Sequence, residues 1–118
     1  MPLPYAPGDD LIFQLESAFA LLRVLAVEER EEGIVWHIMA YEDFFPDVES
    51  AEAALQQPEQ LSVRAAHLAL TDRALSKTPA ARLGNRPVAE HELAAYRRWQ
   101  AQGGPVADRS VLLLLGLR

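Results

Sequence analysis

The stretch "GIVWHIMAY", residues 33–41, constrains the fold more than any other part of the chain. Side chains of an extended backbone alternate between two faces, so Ile34, Trp36, Ile38 and Ala40 share one face and Val35, His37, Met39 and Tyr41 the other. β-Branched and aromatic residues, which fit a pleated surface, run throughout. A strand over 34–41 follows, and a strand needs partners, so the fold must contain a sheet.

Candidate partners lie on both sides. "PGDD" is a turn signal in which Pro7 restricts its own φ and Gly8 adds freedom, and the apolar run "LIFQL" at 11–15 then reads as a strand. "ESAFALLRVLAVEEREEG" supports two readings. Ser17 can cap a helix rich in Ala and Leu that Gly33 ends. Equally, a strand can run through Phe19, Leu21, Leu25 and Val27, with "EEREEG" as a hairpin loop. Further on, "LSVRAAHLALTD" predicts a strand near 63–70, closed by a single turn through "RALS" that Thr71 or Asp72 caps.

Helix signals punctuate the rest. "DVESAEAALQQP" predicts a short surface helix over about 48–57, ended by Pro58. "TPAARLGNRP" predicts a compact connector, with Thr78 as a cap, Pro79 at a first helical position and Gly84 as a left-handed stop. In "PVAEHELAAYRRWQAQGGP", Ala89, Leu93, Tyr96 and Trp99 line one helical face. Its acids come early, Arg97 and Arg98 come late, and Gly103, Gly104 and Pro105 stop the helix. The continuously apolar "SVLLLLGLR" predicts a final strand buried on both faces. The pattern is α+β.

A chain of 118 residues fits a single domain, residues 1–118, with enough surface to bury for a core. At 50% hydrophobic and 24% charged residues it has the composition of a folded globular chain. Cysteine is absent, which excludes disulfides and thiolate zinc sites and suits a reducing cytoplasm. "MPLPYAPGDD" has neither a basic start nor an apolar run, so no signal peptide is expected, and no apolar stretch reaches membrane-spanning length. The formal net charge of -6, with no basic stripe, argues against nucleic acid as a partner.

"PGDDLIFQL", an apolar segment carrying "RVL" at 23–25, "IVWHIMAYED", and later "LALTDRALSKTPAARLGNRPV" together resemble the immunity protein 26 family and its SH3-like relatives. The resemblance covers roughly residues 7–90. It implies that 18–28 is a strand, that the first three strands form a bent antiparallel meander, and that later strands complete a small SH3-like antiparallel β-barrel or partly open sheet. The chain departs from the pattern in its short loop at Glu16 and Ser17 and in lacking a tryptophan at 80–82. Family members are mainly regarded as antidotes of bacterial toxins, so the resemblance implies a non-enzymatic protein-binding domain without a cofactor, and a basic toxin enzyme as partner.

The chemistry-bearing residues offer few sharper alternatives. His37, His67 and His91 could converge on a metal, although the first two sit in apolar strand patterns where hydrogen-bonded histidines are common. "HELAA" at 91–95 lacks the second histidine of a zinc-protease helix, no serine stands in a nucleophile elbow, and "GGP" is not followed by a phosphate-binding lysine. "YEDFFPDVES" is the best functional lead. Glu42, Asp43, Asp47, Glu49 and Glu52 can be a solvated helix entry, an acidic pair or cation site, or a charged ring around Phe44 and Phe45 that docks a partner. Glu28 and Glu29, in "EEREE", extend that field if they share its face. A core-facing Phe pair makes the stretch structural, and an exposed pair makes it a docking surface. The rivals are a small metal-dependent enzyme or metal sensor, and a homodimer paired through "VLLLLGL" or the Trp99 face.

Overall fold

The computed structural model describes residues 3–116. Five strands, β1 (Asp9–Leu15), β2 (Ala18–Arg30), β3 (Gly33–Phe45), β4 (Val63–Thr71) and β5 (Ala80–Asn85), form one antiparallel sheet of order β4-β3-β2-β1-β5. The first four strands are a meander, and β5 returns to the free side of β1. The strands β4 and β5 form the two edges, so the sheet is open. Four short helices surround it: α1 (Val48–Ala54), α2 (Asp72–Ser76), α3 (Ala94–Gln102) and α4 (Val111–Leu114), with 3-10 turns at Pro58–Gln60 and Glu90–Leu93.

Residues 18–28 are strand, as the resemblance implies. Pairing with β1 on one side and β3 on the other satisfies both edges of β2, which outweighs the helix propensity of its Ala and Leu. Ser17 is accordingly no helix cap; it shares with Glu16 a two-residue turn in which Glu16 takes a left-handed φ of 57°. Two helices start about where the sequence places them. Asp47 caps α1, its carboxylate accepting from Ser50 N–H at 2.7 Å, and Thr71 caps α2 by accepting from Ala74 N–H at 3.1 Å.

Three expectations are corrected. The connector at 78–86 is strand β5: residues Ala80 to Asn85 pair with β1, and Gly84 is not left-handed. The unpaired edge of β1 takes up this segment, a tertiary demand invisible in the turn-like composition. The final strand is instead helix α4, with Ser110 as its cap and Val111 and Leu115, four residues apart, buried in the core. An unbroken leucine run carries no period of its own, so packing chooses its state. The helix of 89–102 divides into the turn Glu90–Leu93 and the shorter α3.

Each face of the sheet carries an apolar cluster. On one, Leu11, Phe13, Leu22, Val24, Trp36, Ile38 and Leu70 pack under α2 and α4. On the other, Ile12, Leu21, Leu25, Met39 and Tyr41 pack under α1. Each of these aliphatic side chains, fully buried, stabilises the fold by about 1.5–3 kcal/mol relative to exposure. Among the described residues no helix is long and apolar enough to cross a membrane.

Candidate functional site

The acidic lead begins inside β3 rather than in a loop, since that strand continues to Phe45. Its two phenylalanines part company. Phe45 lies opposite Phe19 and packs against the α1 side of the core, whereas Phe44, opposite Ala20, is 47% exposed. Several of the carboxylates have structural work. Asp43 accepts from Ser62 N–H at 2.8 Å, tying down the entry to β4; Asp47 is the α1 cap; and Glu49 sits in the first turn of α1, where the helix dipole favours it. Glu42 and Glu49 remain exposed.

Glu28 and Glu29 do not join this patch. They pair with Val35 and Ile34 at the opposite end of β3, about 30 Å from Phe44 at the rise of an extended strand. Glu28 is also engaged within the protein, held by Arg30 at 2.8 Å and by His37 at 2.9 Å. The Arg30 guanidinium is the main reason its carboxyl lies below the usual range.

The partner of Glu28 belongs to a cluster that sequence reasoning did not assemble. Neighbouring strands bring His37 Nδ1 to 2.9 Å from His67 Nε2. An ionised Glu28 can only accept, so His37 donates from Nε2 and, when neutral, accepts at Nδ1 from His67 Nε2–H. Tyr96 and Trp99 of α3 lie over His37, with ring centroids 4.4 and 4.8 Å away, and Arg30 stands 5.8 Å from the Trp99 ring. Trp99 is thus occupied within the protein, its N–H donating to Pro105 O at 2.9 Å. Burial lowers the pKa of His37, partly offset by Glu28, and burial with the neighbouring His37 brings His67 down to about 4. Among the described residues no three His, Cys, Asp or Glu side chains gather as metal ligands.

A second cluster crosses the same face of the sheet. Arg23 is wholly buried between its strand partners Asp10 and Met39. Its guanidinium donates to Gly8 O at 2.9 Å, Asp10 at 3.2 Å, Arg86 O at 3.0 Å, Pro87 O at 3.2 Å and the carboxylate of Glu92. Burial alone would raise Glu92; Arg23 and the Ala89 N–H hold it below its ordinary value. Arg86 forks onto Asp10 at 2.7 and 2.8 Å, which raises its own pKa, and its guanidinium also donates to Tyr41 OH at 3.4 Å. The result fastens residues 86–92 across the sheet. The crossing is close: Gly8, at φ 93°, has no room for a Cβ, which would lie 2.4 Å from Arg86 O. Asp9 and Asp10, read from the sequence as a turn, are both buried members of β1. The available signal was Arg23 itself, a charge between Leu22 and Val24 in a strand that alternation would bury.

The fastened segment walls a groove of about 680 Å³. Met39 and Tyr41 contribute to its lining from β3, Val63 begins β4, Pro58, Glu59 and Leu61 belong to the preceding turn, and Ala94, Ala95 and Arg98 come from α3. No family model matches this sequence, no curated protein matches it, and no solved structure matches its fold.

Proposed function

We propose that this protein is a non-enzymatic domain that binds another protein through the Phe44 end of β3. The observation supporting this reading is the divided Phe44–Phe45 pair: one ring joins the core while the other stands nearly half exposed beside the free carboxylate Glu42. An exposed aromatic among charges supplies an anchor, and the charges speed association with a partner of opposite sign. The antiparallel meander of β1 to β4 is consistent with an SH3-like relationship, and the resemblance to the immunity protein 26 family makes the partner a basic toxin enzyme. Asp43, Phe45 and Asp47 then shape the surface, Phe44, Glu42 and Glu49 meet the partner, and Glu28 and Glu29 act only on a partner large enough to span β3.

The experiment compares the tagged protein with Phe44→Ser and with the double variant Glu42→Lys/Glu49→Lys as baits, at low and physiological salt, read by mass spectrometry. Asp43 and Asp47 are left intact because reversing them would disturb the fold itself. A single basic protein retained by the native bait, weakened by salt and lost with Phe44→Ser, supports the reading. Retention indifferent to both variants removes it.

A further inference from the structure

We propose that the groove between α3 and the Pro58–Leu61 turn binds an amphipathic organic anion, an unbranched acyl chain ending in a carboxylate. This surface is distinct from the Phe44 end of β3, and the two readings stand or fall separately. The groove volume of about 680 Å³ lies within the range of small-molecule sites. Its lining is predominantly aliphatic, with Met39 as an adaptable thioether and Tyr41 and His91 as its aromatic rings, which suits a flexible chain better than a flat ring.

Charge decides the head group. Five ionisable side chains besides Tyr41 border the groove: Glu59, Arg86, His91, Glu92 and Arg98. Arg86 is committed to Asp10, and Glu92 to Arg23. Arg98 forms no ion pair or hydrogen bond among the described residues, in contrast to the neighbouring Arg97, which is held by Glu90. His91 is likewise unpartnered, so two potential donors remain at the 91–98 wall of a protein whose net charge is -6. Glu59, on the Pro58 turn, repels a carboxylate and therefore orients it: head group on Arg98, chain along Met39, Leu61 and Val63. The rigid wall that Arg23 holds in place means the site exists before the ligand arrives, which spares the ordering cost of binding.

Isothermal titration of the intact protein with decanoate, decanol and decyltrimethylammonium tests the assignment at concentrations below micelle formation. Saturable 1:1 binding of decanoate is expected, with decanol and the cation weaker by about tenfold or more. Arg98→Ala should remove most of that preference while leaving decanol binding unchanged. Ala66→Phe, at an exposed position on the groove, should block all three ligands without altering the thermal midpoint. Absence of heat with decanoate, equal or tighter binding of the cation, or an Arg98→Ala variant with unchanged decanoate affinity would each overturn the proposal.

Discussion

His37 Nδ1 and His67 Nε2 stand 2.9 Å apart, with their rings inclined by only 15° and their far sides bounded by Glu28 and the aromatic rings of α3. Burial disfavours the charged form of both imidazoles, partly offset at His37 by Glu28. Protonating the pair therefore works against the fold.

For His67, with its pKa brought from 6.5 to about 4, the unfolded chain binds the proton more readily than the folded one between those values. Stability contributed by this group is fully present above the unfolded pKa and is lost as pH falls through that interval. The full displacement corresponds to about 3 kcal/mol. Partial exposure of His67 reduces the expected loss to about 2 kcal/mol. Urea unfolding at pH 7.5 and pH 4.5 checks this: native protein should lose stability between the two, and His67→Gln should lose distinctly less.

Arg23 places its fork among two carboxylates and three carbonyls, so Arg23→Ala strands Asp10 and Glu92 in a buried site. The expected cost is about 3–5 kcal/mol. Arg23→Lys should recover little of it, because three donors on a single nitrogen cannot reproduce the planar fork. Denaturation midpoints of the two variants, compared with native protein, measure both statements.

Gly8 and Gly33 separate backbone strain from steric conflict. Each has a positive φ, of 93° and 135°, but only Gly8 has a neighbour in the way. Gly33→Ala should cost about 1 kcal/mol for the backbone conformation alone. Gly8→Ala should cost clearly more, about 2–3 kcal/mol, since Arg86 O must also move. Equal losses in thermal or urea melts would contradict the close crossing.

The helical state of 111–114 has its own signature. Val111 is fully buried whereas Leu113, two residues on, is 56% exposed. Leu113→Glu should be tolerated within about 0.5 kcal/mol, and Val111→Glu should be severely destabilising, by more than about 4 kcal/mol. A strand buried on both faces would suffer from either substitution, so melting the two variants side by side distinguishes the states.

The sequence by itself determined the elements whose signals are local. Alternation in residues 34–41 specifies β3, Asp47 and Thr71 specify the starts of α1 and α2 by capping, and the Gly-Gly-Pro break at 103–105 ends α3. In the acidic stretch, the capping role of Asp47 and the dipole-favoured place of Glu49 were legible for the same reason. Tertiary structure decided everything that depends on a distant partner. The residues 80–85 became a strand because β1 had an open edge, and the leucines of 111–114 became a helix because a core face needed covering. Arg23 meets Glu92 across 69 positions and Arg86 meets Asp10 across 76, so no local pattern could announce their bonds. The same holds for Phe44 and Phe45: adjacent, identical side chains point to opposite sides of a strand, and only the packing on each side settles which ring lies against the core and which one meets solvent.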